Sequence, residues 1–231
     1  MTALILQARV DSSRLSGKSL LPLGSMPLIF RVMEALNRVP AHVRILACPH
    51  DSVAALAPLA EEAGFDLCAG PKDDVLERYC AAIRACNPDW VIRATGDNPF
   101  VFADAAAAIS AEGLALTADY AGYAGLPYGA GVEAVKAAAL LQARDEASSV
   151  YEREHVCPYV YGHAEKFLLH RPLAPLRWQV PHARLTVDTE EDYRRAQILY
   201  SALDAGEYGA ERWRGTAILE TYRKLFSEPA R

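Results

Sequence analysis

Residues 7–18, Gln7-Ala8-Arg9-Val10-Asp11-Ser12-Ser13-Arg14-Leu15-Ser16-Gly17-Lys18, set three cations, Arg9, Arg14 and Lys18, and the hydroxyls of Ser12 and Ser13 directly after a short apolar run that begins the chain. Such a loop suits a polyphosphate. Arginine offers phosphate oxygens a planar fork of donors and lysine a mobile point charge, so a mixed set can follow charge that moves during a reaction. Two carboxylates have a comparable placement: Asp97 comes after the apolar Val91-Ile92, and Asp188 ends Leu185-Thr186-Val187. Carboxylates beside a triphosphate repel it unless a divalent cation bridges them, and magnesium takes one or two carboxylates together with phosphate oxygens. The alternative for Asp188 is a helix cap, because Thr189-Glu190-Glu191 follow it. An acceptor bearing an acid group needs cations of its own. Arg153 and His155 are the candidates, although a spacing of two puts them on different faces of a helix, and Glu133 is a candidate hydrogen-bond acceptor.

These residues need elements to hold them. Residues 2–6, Thr-Ala-Leu-Ile-Leu, read as a buried strand of a parallel sheet, and ligands of such sheets sit beyond the carboxyl ends of the strands, where the basic loop begins. The next hundred residues alternate strand-like and helix-like stretches, the pattern of right-handed β-α-β units. A helix is expected from Pro27, with Leu28, Val32, Leu36 and Val39 near helical spacing, and a strand over 44–47. Asp51 is an expected N-cap for a helix that Gly64 ends, followed by a strand over 65–68, a helix over 73–86 and a strand over 90–93. Beyond that, residues 122–131 read as a mobile Gly/Pro loop before a strand near 132–135. Ser149 and Glu152 have capping-box spacing at a helix start, 185–187 reads as a late strand, and helices are expected over 189–203 and 211–226.

The chain has 231 residues, is 52% hydrophobic and carries a net charge of -5, enough for one large α/β core and contrary to a general nucleic-acid or membrane surface. The basic loop is therefore a local site for a small anion. No apolar span approaches the roughly 20 residues of a membrane helix and no leader is visible, so a cytoplasmic location is expected. The five cysteines form no Cys-x-x-Cys pair and suit reduced core thiols. A phosphate-loop kinase is excluded, since Gly17-Lys18-Ser19 lacks the earlier glycine of that motif.

With these residues placed, the chain resembles the cytidylyltransferases of the CMP-sugar-acid synthetase superfamily, and most closely the branch named for spore coat polysaccharide biosynthesis. Five segments in order carry the resemblance: Gln7 to Lys18, Asp73-Asp74-Val75-Leu76-Glu77-Arg78-Tyr79, Arg93-Ala94-Thr95-Gly96-Asp97-Asn98-Pro99, Tyr151-Glu152-Arg153-Glu154-His155-Val156 and Thr186-Val187-Asp188-Thr189-Glu190-Glu191-Asp192. The resemblance implies a three-layer Rossmann-like α/β fold of the nucleotide-diphospho-sugar transferase type with a mostly parallel central sheet. It implies one nucleotidyltransferase domain over 1–231, with acceptor-binding and dimerisation elements around 115–180 and a homodimer. By the same resemblance Gln7, Ala8, Ser12, Ser13, Gly17, Arg78 and Thr95 contact CTP, and Asp97 and Asp188 hold Mg2+ or Mn2+. CMP would pass to a small acidic acceptor while Arg9, Arg14 and Lys18 neutralise the departing pyrophosphate.

Three departures bear on the substrates. The loop has Asp11 where related sequences have a small residue and Ser16 where they have proline. Pro127-Tyr128-Gly129-Ala130-Gly131-Val132-Glu133 resembles a Pro-x-Gly-x-Asp-Val-Glu segment but has Gly131 at the acidic position, and Asp119-Tyr120-Ala121-Gly122 lacks the polar pair that often follows Asp-Tyr. The acceptor thus stays open among sugar acids, phosphonates and phosphorylated acids. A metal-dependent glycosyltransferase on a related fold and a non-catalytic nucleotide-binding subunit are the competing readings.

Overall fold

A computed structural model describes residues 1–12, 14–180 and 182–226. In chain order it contains β1 (Thr2–Gln7), β2 (Pro22–Leu23), β3 (Met26–Pro27), α1 (Leu28–Leu36), β4 (Val43–Pro49), α2 (Val53–Ala63), β5 (Asp66–Gly70), α3 (Val75–Cys86), β6 (Trp90–Thr95) and α4 (Ala103–Ala115). There follow β7 (Tyr120–Ala121), β8 (Glu133–Lys136), α5 (Ala137–Glu146), α6 (Val150–His155), α7 (Pro158–Gly162), β9 (Leu169–His170), α8 (Glu190–Ala205) and α9 (Gly215–Phe226).

The main sheet runs β5-β4-β1-β6-β8-β7-β9. Its first four strands are parallel, β8 is antiparallel to β6 and β7, and β9 is parallel to β7. After β1 the chain winds outward through β4 to β5 and then returns to lay β6 on the other side of β1. The order therefore reverses between β1 and β6, where a crevice opens beyond the strand ends. Gln7 and Thr95 stand there in register.

Alternation along the central strands feeds two cores. Leu4, Leu6, Leu46 and Ile92 pack on the side of α1, α4 and α8, while Ala3, Ile5, Ala47 and Val91 pack on the side of α3, α5 and α7. A sheet buried on both faces gives the three layers that the resemblance implied. No helix among the described residues is long and apolar enough to cross a membrane.

Several boundaries differ from the sequence reading. Pro27 ends β3 and precedes α1 rather than lying in its first turn. Asp51 is not the α2 cap: it sits in a 3-10 turn and accepts a hydrogen bond from the Ser52 hydroxyl at 3.0 Å. Gly64 closes α2 in the left-handed conformation as expected. Residues 185–187 form no strand but are stitched to two other segments, and the last helix begins at Gly215 after a 3-10 turn over Gly209–Trp213. The segment read as a mobile Gly/Pro loop is anchored, with Ala124 bridged to Leu173 and Tyr128 to Arg184.

Candidate active site

The loop after β1 is fastened at its root. The Ser19 hydroxyl donates to the Arg9 carbonyl at 2.8 Å, and the Ser52 hydroxyl accepts from the Val10 amide at 3.2 Å. At its far end Gly17 turns with φ of 65°, a left-handed residue that lets Lys18 double back toward the sheet. Asp11, the departure that threatened the loop's charge, pairs with Lys72 outside the cavity, and Lys72 also reaches Asp51.

β6 runs into Gly96, whose amide donates to the Gln7 carbonyl at 2.8 Å. A Cβ there would stand 2.9 Å from the Ala8 Cβ and 3.0 Å from the Gln7 carbonyl oxygen, so only glycine lets the two strand ends close up. Asp97 follows. Asp188 is delivered without a strand: the Val187 amide donates to the Asp97 carbonyl at 2.8 Å and the Leu185 amide to the Tyr128 carbonyl at 2.8 Å. Gly129, with φ of 91°, makes the second seam possible, because its absent Cβ would fall 2.5 Å from the Thr186 amide nitrogen. Thr189 then caps α8 and shares a capping box with Asp192. Asp188 is therefore not the cap.

These seams bring the two carboxylates to one ammonium. Lys18 Nζ donates to Asp97 Oδ2 at 3.1 Å, Asp188 Oδ1 at 3.0 Å and the Val187 carbonyl at 2.9 Å. Arg14 donates to Asp188 Oδ1 at 2.8 Å, and Arg184 to Asp188 Oδ2 at 2.8 Å and Asp192 Oδ1 at 3.0 Å. Burial acts to raise the Asp192 carboxyl, but Arg184 and the amides of Asp188 and Thr189 outweigh it and hold the group below its ordinary value. Asp188 is 6% exposed and Asp97 31%, so one carboxylate is enclosed and the other faces the cavity.

That cavity has a volume of about 530 Å³. Gln7, Ala8, Arg9, Ser12, Arg14, Lys18, Arg78, Thr95, Asp97, Asp188 and His155 all line it. Ser13 lies outside the described residues. Gln7 brings a buried side-chain oxygen with no hydrogen-bond partner, and Arg78 a buried Nε in the same condition. Arg78 is 2% exposed and donates from Nη1 to the carbonyls of both Pro71 at 2.6 Å and Lys72 at 2.8 Å. It holds the cavity roof in place, and burial lowers its pKa.

Of the two acceptor cations only His155 reaches the cavity, beside an exposed Tyr151 whose ring centroid is 4.5 Å away. Arg153 is a correction to the expected set. It lies on the opposite side of α6 and donates to Asp74 Oδ2 at 2.8 Å and to the carbonyls of Arg144 at 3.2 Å and Ala147 at 3.1 Å, so it caps α5 and ties α6 to α3. Glu133, the candidate hydrogen-bond acceptor, is already engaged. It pairs with Arg93 and accepts from Tyr120 Oη at 2.8 Å, in a second cavity of about 250 Å³ that adjoins the first through Arg93, Thr95, Asn98, Tyr128 and Gly129. Glu133 holds Arg93 firmly protonated against the effect of burial, and burial raises the Tyr120 hydroxyl.

Sequence reasoning missed Arg184 and Tyr128. Arg184 has a signal, a cation four residues before Asp188 and eight before Asp192. Tyr128 has none, because its role comes from the bridge to Arg184, whose guanidinium lies 4.9 Å from its ring centroid.

Among the described residues no group of three or more His, Cys, Asp and Glu side chains gathers around a point. Two carboxylates that already share one cation are nonetheless a fitting donor set for a magnesium ion that takes its remaining ligands from phosphate and water.

A sequence model of the family described as Cytidylyltransferase matches residues 3–225. The chain belongs to this family. The cytidylyltransferase is 32% identical over 210 residues, 88% of its length and 87% of the relative's, to the spore coat polysaccharide biosynthesis protein SpsF of Bacillus subtilis. As a fold it is similar to a cytidylyltransferase from Leptospira borgpetersenii, with a TM-score of 0.86 at 23% identity over 100% of this chain and 98% of that one. It is also similar to a CMP:2-keto-3-deoxy-manno-octonic acid synthetase complexed with CTP, with a TM-score of 0.69 at 14% identity over 87% and 98% of the two chains. Family membership makes the protein a CTP-dependent nucleotidyltransferase.

Proposed function

We propose that this cytidylyltransferase moves CMP from CTP to a small acidic acceptor, with a divalent ion, Mg2+ or Mn2+, held by Asp97 and Asp188. The observation that carries the proposal is the shared ammonium: two carboxylates from separate segments meet one cation at the floor of a basic cavity. Arg9 and Arg14, both exposed in that cavity, suit phosphate oxygens, and Lys18 follows the charge that develops on the leaving group. Gln7, Ala8, Ser12 and Thr95 shape the nucleotide's seat, Gly17 acts on it only through the turn that brings Lys18 back, and Arg78 braces its roof. A divalent ion bound there would act as a Lewis acid on the phosphate oxygens.

The acceptor oxygen forms a bond to the α-phosphorus as the bond to the bridging oxygen breaks. Pyrophosphate leaves with the electron pair, and the acceptor's proton passes to solvent. No covalent enzyme intermediate is required, so the protein contributes position and charge. The adjoining 250 Å³ cavity is the acceptor's place.

The test incubates the protein with Mg2+, each of the four ribonucleoside triphosphates and, in parallel, nucleotide sugars, against a pooled set of sugar acids, phosphonates and phosphorylated acids. Pyrophosphate release with CTP alone, together with the mass of a CMP conjugate, is expected. CTP binding with no release would turn the reading to a nucleotide-binding subunit, and glycosyl transfer from a nucleotide sugar would turn it to a glycosyltransferase.

A further inference from the structure

The second cavity holds three charged side chains, and two of them cancel. Arg93 and Glu133 form a half-buried pair, while Arg171, which directly follows β9, has no carboxylate within ion-pair distance among the described residues. Its guanidinium lies over the Tyr161 ring, 5.3 Å from the centroid, and that ring packs edge-on to Tyr120 at 5.6 Å. The cation thus stacks on an aromatic ring, and among the described residues its N–H donors have no hydrogen-bond partner. The cavity has a net charge of one.

Glu133 has about four acceptor sites, of which Arg93 and Tyr120 take two. Acceptor capacity remains for a hydroxyl. Two glycines complete the wall. Neither Gly122 nor Gly131 has a positive φ, so neither is there for a turn; the Cβ of one would meet Tyr120 Oη at 2.9 Å and that of the other Leu126 Cδ1 at 3.1 Å. The family resemblance puts an acidic residue at position 131, and a second carboxylate beside Glu133 would repel an anion. Glycine leaves the single positive charge of Arg171 unopposed.

We propose that Arg171 anchors the acid group of the acceptor and selects a singly charged hydroxy acid over a dianion, with Gly131 keeping the cavity open to it. One guanidinium fork matches one carboxylate bidentately, whereas a phosphonate or phosphate dianion lacks its second counter-charge here. The cavity's volume falls just under the roughly 300 Å³ at which drug-sized sites begin, which suits a small molecule. This assignment rests on the transfer reading above.

The test uses the full chain with CTP and Mg2+ against pooled hydroxycarboxylates, hydroxyalkyl phosphonates and neutral polyols, followed by kinetics on whichever compound forms a CMP conjugate. A hydroxycarboxylate is the expected acceptor. Arg171→Met is expected to raise its KM about 10- to 100-fold, the scale of one charge-assisted hydrogen-bonding group, while the KM for CTP stays within about twofold and shows the variant to be folded. Arg171→Lys should recover part of the loss, and Gly131→Asp should raise the acceptor KM in the same direction. An unchanged acceptor KM in either Arg171→Met or Gly131→Asp, or preference for a phosphonate or a polyol, overturns the assignment alone. No conjugate from the wild-type protein overturns the transfer reading and this assignment with it.

Discussion

An ammonium held between carboxylates at 3.1 and 3.0 Å already fills a cation site, and a divalent ion using the same oxygens has to displace it. Lys18 is 12% exposed, so its charge does not simply dissolve into solvent when it leaves; it needs another anion within reach. In the proposed reaction the phosphates of CTP would supply one. Lys18 would then couple the two arrivals, its ammonium drawn to the nucleotide and its carboxylates left for a divalent ion. Lys18→Met keeps the aliphatic stem and removes the charge, so its two effects should have opposite signs. Turnover is expected to fall roughly 100-fold or more, the scale for losing a preorganised charge stabiliser. Mn2+ binding without nucleotide, followed by electron paramagnetic resonance, should strengthen. Equal Mn2+ affinity in variant and wild type would show that the ammonium does not compete for the carboxylates.

Among the elements, the segment that delivers Asp188 is the least regular and the most dependent on its neighbours. It has no strand partner along its length, only the seams to Asp97 and Tyr128. Gly129→Ala is therefore a sharper probe of the site than many substitutions inside it. The new methyl would stand 2.5 Å from the Thr186 amide nitrogen, which belongs to backbone and cannot rotate away, and φ of 91° is unfavourable for alanine in any case. Thermal unfolding should show a loss of about 2 kcal/mol or more, with kcat lowered further than the stability loss explains because Asp188 shifts. A variant with wild-type kcat would show that the seam does not position the carboxylate. This same dependence limits what the sequence could reveal. The strands of the parallel half, the Gly64 stop and the Ser149–Glu152 capping box carry local signals, and all appear near their expected places. The alanine-rich α4 and α5 had too little contrast between faces to be read, and Asp188 was placed correctly at the sheet edge for the wrong local reason, a strand that does not exist. Arg153 failed because a motif gives adjacency along the chain, whereas the helix turns it toward Asp74.

For the molecule as a whole, the two edges of the sheet are not alike. Both ends of the sheet are strands with an unpaired outer edge, but β5 has α2 and α3 packed against it, whereas β9 is a two-residue strand with Leu168 just before it and Leu173 just after at 56% and 74% exposure, and Leu176 at 84% a little beyond. A single exposed leucine means little, but three beside an unpaired edge are a surface that association would bury. The homodimer implied by the family resemblance would account for them. Placed there, the contact would lie next to Arg171 and the acceptor cavity, so assembly and acceptor binding would share a wall. Sedimentation equilibrium is expected to give a dimer at micromolar concentration, and the pair Leu173→Glu and Leu176→Glu to give a monomer that still binds CTP, since the cavity between β1 and β6 is formed by other elements. A wild-type monomer would leave the leucines without a partner and remove the edge from the argument. A dimer unaffected by both substitutions would place the contact on another face.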